Sequence, residues 1–415
     1  MIKNFENLIL LVGTNPLPQF VIAEYFLKNN EKIKTIWLIY SEENKNVNQD
    51  GTNVQADNLE RLIRKRWGRH PSLTFPLEKV SLFDVGDFRK INDDMEKKLM
   101  KEITYESIHL NYTGGTKAMG ICIYWMLKNT DRFPESLFSY LDARNFRLID
   151  DDDDIDVVIA EDLRNEVNLS FEELINLHGF RRKNSDSKIE NIEDSLKKFI
   201  EIIKKKEIEN FYNCLKKENT DYLKNKDKVI SCIEKNPVFK SIIESLPDEL
   251  KIYDFDKNQL VENYNNIRGK TYDYFNGKWL EHYIENFLKK IKKENNNKQI
   301  CVLRNWEIKK ENYNYFQLDV IFLNAYQLIS ISCTMSSNKG ICKKNGFEVV
   351  LRTRQIGGDE ARAILITFAE SFSAKIMQQE LIYETGGSKN ILVLGIEDLK
   401  PEILNKKLKK FLFDD

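Results

Sequence analysis

The chain has 415 residues, with 64 basic and 65 acidic side chains and a formal net charge of −1. This balance gives no overall field that would attract nucleic acid, so such binding would need local basic patches. The six cysteines form no CxxC pair and no ligand-like cluster with the four histidines. The pattern therefore favours neither a zinc site nor a disulfide framework and fits a reducing cytoplasm. No apolar run approaches the ~20 residues of a membrane span, so we expect a cytoplasmic protein without membrane contact.

The first part of the chain, residues 7–148, alternates short apolar runs with stretches of helical periodicity. This alternation predicts an α/β domain in which helices cover both faces of a parallel sheet. We expect strands in NLILLVG, KTIWLIYS, LTFPLEKVSLF and ESIHLNY, and helices at 18–29, 54–67, 87–102 and 116–128. The run LFSYLDARNFRLID predicts an antiparallel hairpin at the sheet edge. The acidic run 150–154 predicts a solvated loop, and SFEELINLHGF predicts a closing helix with a Ser-x-x-Glu capping box.

Two glycine-rich turns lie between a predicted strand and a predicted helix. The first is GTNPLP, which begins at Gly13, and the second is NYTGGTKAMG, which begins at Asn111. Backbone N–H groups at a helix start bind anions, and glycines allow a phosphate to approach the backbone closely. The carboxyl ends of strands in an open parallel sheet face the same crevice, so both turns can serve one ligand. Neither GxxxxGK[ST] nor GxGxxG occurs, which disfavours a P-loop ATPase or a dinucleotide dehydrogenase.

The two turns carry a resemblance to a known family. A strand followed by VGTNPLP, with LNYTGGTKAM after the fourth strand, resembles the CARF domain of type III CRISPR proteins over roughly residues 1–180. The resemblance implies a Rossmann-like sensor that pairs with a second copy and holds a cyclic oligoadenylate across the two-fold axis. Cyclic tetra-adenylate is the expected ring. The ligand-binding residues that the resemblance implies are Gly13, Thr14, Asn15, Gly114, Gly115, Thr116 and Lys117.

The middle of the chain changes in composition. Lys, Glu and Asn dominate from about residue 183 to residue 258, and Ile, Leu and Phe recur at helical spacing. This pattern predicts two to four amphipathic helices, which we interpret as a connector that could also widen a dimer interface. The expected organisation is therefore a sensor domain at 1–182, a helical connector at 183–262 and a C-terminal domain at 263–415.

The C-terminal part predicts a mixed α/β domain, because an amphipathic helix at 277–293 precedes a meander of strands, a further helix and more strands. With Glu281 on that helix and Asp319 on a strand, it resembles the restriction-endonuclease-like fold of PD-(D/E)xK nucleases over residues 265–415. The resemblance implies that both carboxylates hold Mg²⁺ or Mn²⁺. The family's acid-x-lysine falls here on Ser332 and Thr334, which are neither acidic nor basic. The missing ammonium group could come from the residues Lys339, Lys343 or Lys344.

The segment FEVVLRTRQIGG adds three further candidate catalytic residues, Glu348, Arg352 and Gln355. Glu348 and Arg352 are four residues apart, so they lie one helical turn from each other. One interpretation is a surface salt bridge between them. The other places Arg352, Arg354 and Gln355 beside a scissile phosphate, which guanidinium groups bind well.

Three functions remain open from the sequence. The first is a homodimeric nuclease that is activated by a cyclic oligoadenylate, depends on metal and degrades DNA or RNA. The second is a sensor or regulator whose C-terminal domain has lost catalysis, because Ser332 and Thr334 replace the acid and the lysine. The third is a ring nuclease in which Thr14, Asn15 and Lys117 position the ligand for its own cleavage.

Overall fold

The structure is a computed structural model. It describes residues 4–68, 76–103, 107–151, 157–183, 189, 191–214, 222–296, 299–310, 315–386 and 390–413. Most of the acidic run predicted as a solvated loop, residues 152–154, lies outside these ranges. None of the described helices is both long and apolar enough to cross a membrane.

The N-terminal part forms the predicted α/β domain around a seven-stranded sheet. Its strands are Asn7–Leu11 (β1), Thr35–Ser41 (β2), Leu77–Leu82 (β3), Ile108–Asn111 (β4), Leu137–Asp142 (β5), Arg147–Asp150 (β6) and Val157–Ala160 (β7). Its helices are Leu17–Asn29 (α1), Asn53–Trp67 (α2), Phe88–Lys98 (α3), Lys117–Lys128 (α4) and Phe171–Leu177 (α5), and Phe180–Arg182 (β8) follows. The order is β3-β2-β1-β4-β5-β6-β7. The first five strands are parallel, and the expected hairpin adds β6 antiparallel to β5.

The sheet is covered on both faces, as the run of apolar residues in β1 predicts. All five residues of β1 are buried. Leu8 and Leu10 point into one hydrophobic cluster, whereas Ile9 and Leu11 point into another on the opposite face. Side chains alternate across a strand, so an uninterrupted apolar strand needs apolar partners on both sides.

The middle of the chain is helical and packs against the C-terminal domain. Its elements are Glu193–Lys204 (α6), Ile208–Asn213 (α7), Lys226–Lys235 (α8), Pro237–Glu244 (α9), Tyr253–Asp254 (β9), Gln259–Leu260 (β10) and Tyr264–Asp273 (α10). Phe199 of α6 stacks on Trp279, with ring centroids 4.1 Å apart and an interplanar angle of 6°. Both rings are fully buried, so the helices share a core with the C-terminal domain rather than standing apart from it.

The C-terminal part contains a second sheet of mixed direction. Its elements are Trp279–Glu294 (α11), Ile300–Lys310 (β11), Phe316–Asn324 (β12), Gln327–Cys333 (β13), Lys339–Gly357 (α12), Arg362–Ile366 (β14), Ser371–Glu384 (α13), Ile391–Leu394 (β15) and Pro401–Phe413 (α14). The strand order is β15-β14-β13-β12-β11-β8. Strand β12 pairs antiparallel with both β11 and β13. Strand β14 pairs parallel with both β13 and β15.

The two sheets are joined by a strand and by a shared core. Strand β8, which ends the N-terminal domain, pairs antiparallel with the end of β11. Phe171 of α5 meets Trp306 of β11 edge to face, with centroids 5.0 Å apart. One hydrophobic cluster includes both Leu8 of the first sheet and Leu318 of the second. A change at one sheet can therefore be transmitted to the other through packed side chains.

Candidate functional site

The structure brings the two glycine-rich turns into contact. A methyl group added to Gly13 would lie 3.2 Å from the amide nitrogen of Gly115. A methyl group on Gly114 would lie 2.0 Å from the carbonyl oxygen of Leu11, which no side chain tolerates. The close approach explains why this βα turn needs glycine, and it presents the starts of α1 and α4 side by side.

Polar side chains cap both helix starts. The side chain of Thr116 accepts a hydrogen bond from the backbone N–H of Met119 at 3.2 Å, and Asn15 accepts one from Leu17 at 3.1 Å. Thr14, Thr116 and Lys117 are exposed. The seven residues expected to bind the ring therefore lie on two adjacent turns, with two hydroxyl groups and one ammonium group facing solvent. A cap satisfies one N–H group at each start, and the others remain available to an anion.

Gln19 lies beneath these turns and was not predicted from the sequence. It is 1% exposed, and among the described residues neither atom of its amide group has a hydrogen-bond partner. Its Nε2 atom lies so close to Gly114 that a methyl group there would be 2.0 Å away. The sequence feature that could have predicted this position is a glutamine inside the apolar run of α1. A buried amide without partners is costly, so its position under the turns that are expected to bind the ligand suggests a role there.

Asn15 also connects the first turn to the end of α5. Its Oδ1 lies 3.1 Å from Nε2 of His178, whose Nδ1 lies 3.0 Å from the carbonyl oxygen of Leu174. Burial lowers the pKa of His178 to about 4, so the ring is neutral near pH 7. Both neighbouring atoms are acceptors and a neutral ring has one N–H, so His178 can donate to only one of them.

The same asparagine contacts the end of α12. Gly358 follows this helix at φ +74°, and a side chain at Gly358 would come within 2.2 Å of Nδ2 of Asn15. Glycine is needed here both for the left-handed backbone and for the close approach. The turn expected to bind the ligand therefore touches the helix that carries the candidate residues Glu348, Arg352 and Gln355.

The second candidate site lies on β12, β13 and α11. Asp319 is partly buried on β12, where Oδ2 accepts hydrogen bonds from the backbone N–H of Cys333 at 2.9 Å and from the hydroxyl of Ser332 at 3.3 Å. Burial raises the pKa of Asp319, against these hydrogen bonds, and the charge of Glu348 raises it further. Ser332, at the position where the resemblance to nucleases predicts a second acid, therefore donates to Asp319.

Glu281 faces Asp319 from α11. Burial raises the pKa of Glu281 to about 8, and the charge of Asp319 adds to this effect. Among the described residues, Oε2 of Glu281 is buried without a hydrogen-bond partner, and Nη1 of Arg304 on β11 lies 3.7 Å from it. Arg304 donates instead to Glu285 at 3.1 Å. Burial and the proximity of the two carboxylates therefore favour their protonated forms, and a bound cation would favour the charged forms instead.

The two lysines expected to replace the missing family lysine point elsewhere. The ammonium group of Lys339 lies 2.6 Å from Glu380, and that of Lys343 lies 2.7 Å from Glu384. Both acids are on α13, so these ion pairs hold the lysines on the outer side of α12 and not at Asp319. Lys344 is exposed.

Arg352 and Gln355 form a pair of their own. Arg352 donates to Oε1 of Gln355 at 3.1 Å, and its guanidinium lies 4.4 Å from the ring of Phe316. In the part of the chain that is described, Arg352 thus pairs with Gln355 instead of forming the salt bridge with Glu348 that the spacing allowed. Glu348 is exposed and contributes its charge to Asp319.

The fit of a metal ion depends on these carboxylates. Among the described residues, no group of three or more His, Cys, Asp or Glu side chains could hold a metal ion. Glu281 and Asp319 nevertheless supply oxygen ligands of the kind that Mg²⁺ and Mn²⁺ prefer, and Mg²⁺ commonly binds through one or two carboxylates with water completing its shell. The buried Oε2 atom of Glu281, to which no described residue donates a hydrogen bond, fits a hard cation.

Comparison with known proteins agrees with the geometry of the first site. Residues 8–150 match the family model of the Card1 CARF domain. The N-terminal domain thus matches the CARF family. The matched stretch of this CARF-like domain runs from β1 to β6 and includes both glycine-rich turns. No curated protein sequence matches the chain.

Two solved structures share the fold over nearly the whole chain. Can2 from Sulfobacillus thermosulfidooxidans, determined in complex with cyclic tetra-adenylate, is 14% identical with a TM-score of 0.63, and the match covers 98% of this chain and 99% of that chain. Protein VC1899 from Vibrio cholerae is 12% identical with a TM-score of 0.67, and the match covers 98% of both chains. At these identities the likeness shows that the CARF-like domain and the C-terminal domain are arranged as in proteins of this fold.

Proposed function

We propose that this chain is a cyclic oligoadenylate sensor of a type III CRISPR system, and that cyclic tetra-adenylate is its ligand. The observation that carries the proposal is the contact between the Gly13 and Gly115 turns, which presents two helix starts to one ligand. A phosphate ring is a polyanion, which suits N–H groups at helix starts and the exposed ammonium group of Lys117. The match to the CARF family and the ligand of Can2 support this choice of anion.

The active form in this proposal is a homodimer in the cytoplasm. A two-fold symmetric ring suits an isologous pair that presents four helix starts. Ile121 and Trp125 lie one turn apart on α4 and are 61% and 64% exposed, directly beyond Lys117. A second copy that packs on this side of α4 would cover both side chains and place its own turns beside the ring. No disulfide bond joins the described cysteines, which fits the reducing cytoplasm.

The C-terminal domain acts in this proposal as a metal-dependent nuclease of the PD-(D/E)xK type. Glu281 and Asp319 would hold Mg²⁺ or Mn²⁺, which when bound polarises a phosphate and activates water. Ser332 and the backbone N–H of Cys333 fix the carboxylate of Asp319 by hydrogen bonds. Arg304, which is 12% exposed, is the cation that the described ion pairs place beside Glu281. It can bind a phosphate oxygen in place of the missing lysine.

Ligand binding would reach the second site through α12. Asn15 contacts both His178 and Gly358, and α12 carries Glu348 near Asp319. If the ligand binds one conformation of the Asn15 turn more tightly, that conformation becomes more populated. Because α12 contacts Asn15, the position of α12 that goes with this conformation becomes more populated as well. The activation is then a coupling between two sites and requires no direct contact of the ring with the C-terminal domain.

A cleavage assay tests this function. Purified protein is mixed with Mn²⁺ and with labelled single-stranded or double-stranded DNA or RNA, with and without cyclic tetra-adenylate. We expect cleavage that needs both the ring and the metal. If the ring binds but no substrate is cut, the C-terminal domain is not a nuclease and the sensor function stands alone. If the ring does not bind, the sensor function fails.

A sensor without nuclease activity is the second candidate. The observation that favours it is the replacement of the family's acid and lysine by Ser332 and Thr334, together with the ion pairs that hold Lys339 and Lys343 on α13. Such a protein would bind the ring and shift α12 without cutting nucleic acid. The same assay, combined with calorimetric measurement of ring binding, distinguishes the two functions.

A further inference from the structure

A basic groove lies at the junction of the two sheets and outside both candidate sites. It has a volume of about 810 Å³ and is formed by α2, the end of α5, β8 and the end of β11. Seven lysines and arginines line it among the described residues, against one carboxylate, that of Glu173. Over the whole chain the basic and acidic residues number 64 and 65. The groove therefore concentrates positive charge that the composition of the chain does not predict.

The one carboxylate of the groove is already neutralised. Glu173 accepts two hydrogen bonds from Arg66, at 2.7 and 3.2 Å, and its other partner is the capping residue Ser170. Lys183 pairs with Glu307 at 3.0 Å. Among the described residues, no ion pair joins a carboxylate to the other five basic residues of the groove outside Lys310, which are Arg61, Lys65, Arg181, Arg182 and Lys309.

The strand pairing makes this concentration of charge costly for the fold. Arg181 of β8 lies directly opposite Lys309 of β11 in the antiparallel register. Like charges directly opposite each other on neighbouring antiparallel strands destabilise a sheet. Lys310 follows on the same strand and lines the same groove. An anion that binds between Arg181 and Lys309 would remove this repulsion.

The arrangement fits a chain of phosphates better than a single anion. The basic residues come from three separate elements, so they are spread along the groove and can contact successive phosphates. Guanidinium groups, including that of Arg61 on α2, bind phosphate oxygens as forks. Leu62 and Phe180 give the groove apolar surface against which sugars and bases can pack.

We propose that the basic groove binds the sugar–phosphate backbone of single-stranded nucleic acid, without regard to sequence. The inference deepens the proposed function and rests on it, because it says where a substrate strand is held. Lys309 lies on β11, which pairs with β12, the strand of Asp319. Because Ile308 lies opposite Phe316, Lys309 and Asp319 are about 13 Å apart along the strand direction, at ~3.3 Å per residue. A strand that leaves the groove reaches the level of Asp319 within a few nucleotides.

Binding of oligonucleotides to a groove variant tests the proposal. The variant is Arg181→Ala with Lys309→Ala, which removes a repulsive pair and should leave the fold intact. Fluorescein-labelled single-stranded DNA and RNA 20-mers are titrated in EDTA with fluorescence anisotropy, so that no cleavage occurs. We expect affinity to fall at least about tenfold at low salt. The slope of log K against log salt should become shallower by about 1.4, since each phosphate contact in a single strand contributes about 0.7.

The matched control is Lys406→Ala with Lys410→Ala, which removes the same charge from exposed positions on α14. It should bind like the unaltered protein. Unchanged affinity and slope in the groove variant would overturn the proposal, as would an equal loss in the control. Duplex DNA that binds as tightly as the single strand, with the same loss in the groove variant, would contradict the choice of a single strand. Because the assay needs no cleavage, a nuclease that proves inactive leaves this test unaffected.

Discussion

At the scale of single residues, the first site consists of backbone N–H groups at two helix starts and of one cation. Lys117 is the first residue of α4 and is exposed beside the Gly114 and Gly115 turn. The neighbouring Thr116 is occupied as a helix cap. The formal charge at this turn therefore comes from Lys117. Substitution of Lys117 removes a charged contact with the ligand and leaves the backbone contacts in place.

We predict that Lys117→Ala weakens binding of cyclic tetra-adenylate by more than about tenfold. A charge-assisted hydrogen bond contributes about 1.5–3 kcal/mol, and ~1.4 kcal/mol corresponds to a factor of ten. Isothermal titration calorimetry gives the affinity. Lys97→Ala, at an exposed position near the end of α3, is the control and should bind normally. Unchanged affinity of Lys117→Ala would remove this residue from the site.

At the second site, a substitution of Asp319 distinguishes a metal ligand from an aspartate with only a structural role. We predict that Asp319→Asn abolishes metal-dependent cleavage and keeps the affinity of the N-terminal domain for the ring. The amide oxygen can still accept the hydrogen bond of Cys333, but the charge that holds a cation is lost. Glu281→Gln should behave in the same way, and the double variant should lose little more than either single one.

Two measurements on Asp319→Asn separate the roles. If Asp319 binds metal, Mn²⁺ raises the melting temperature of the unaltered protein and not that of the variant. If its role is structural, the variant melts at a lower temperature with or without Mn²⁺ and retains cleavage per folded molecule. The second result would remove Asp319 from the metal site.

At the scale of elements, α12 links the two sites. Its C-terminal end meets Asn15 at Gly358, and its body carries Glu348 near Asp319. The helical spacing of this segment was predicted from the sequence, whereas its contact with Asn15 was not. His178 of the α5 end holds Asn15 from the other side. Asn15 therefore sits between two elements that a bound ring can displace.

We predict that His178→Leu uncouples the two sites. The substitution removes a hydrogen-bond partner of Asn15 that does not belong to the turns, so affinity for the ring should change by less than about threefold. Hydrogen–deuterium exchange should show that the ring protects the C-terminal end of α12 in the unaltered protein and not in the variant. Glu172→Ala on the same helix is the control. Equal protection in both proteins would exclude His178 from the coupling.

At the scale of the whole molecule, stability should depend on the buried histidines. Burial lowers the pKa of His109 to about 3 and that of His178 to about 4, whereas an exposed histidine titrates near 6.5. The unfolded chain therefore binds more protons than the folded chain between these values, so stability rises with pH in this window. The stabilisation is complete above about pH 6.5 and is lost as the pH falls toward 4.

We predict that the melting temperature falls between pH 7 and pH 4.5, and that His109→Gln flattens this dependence. His109 lies between the rings of Phe5 and Phe26, and its Nε2 is 2.7 Å from the hydroxyl of Ser139. Each unit of pKa difference corresponds to about 1.4 kcal/mol. Thermal unfolding followed by circular dichroism measures the effect. A variant with the same pH dependence as the unaltered protein would show that His109 does not contribute.

The oligomeric state is also a property of the whole molecule. We predict that the protein is a dimer and that Ile121→Asp with Trp125→Asp makes it monomeric, because two charges on the exposed face of α4 oppose packing of a second copy. Light scattering with and without cyclic tetra-adenylate gives the mass. Val54→Asp, at an exposed apolar position on α2, is the control and should remain dimeric. A monomer in all samples would contradict the paired arrangement.

The sequence by itself determined the local elements and the position of the two glycine-rich turns before helices. The apolar runs predicted the parallel strands because each buried strand needs apolar side chains on both faces, and the helix starts followed from Thr116 and Ser170 as caps. The excess glycine at Gly114 predicted the close approach of a phosphate, whereas the atoms that the structure places close to Gly114 belong to Leu11 and Gln19. The strands and the helix caps depend on neighbours in the sequence, so the sequence contains the information for them.

Tertiary structure alone decided the contacts between distant segments. Lys339 and Lys343 were expected near Asp319. They form ion pairs instead with Glu380 and Glu384 of α13, which are each 41 residues further along the chain. The burial that raises the pKa of Glu281, the contact of Asn15 with Gly358 and the basic groove all join segments from different parts of the chain. Such contacts depend on how the two sheets pack, and local spacing does not encode this packing.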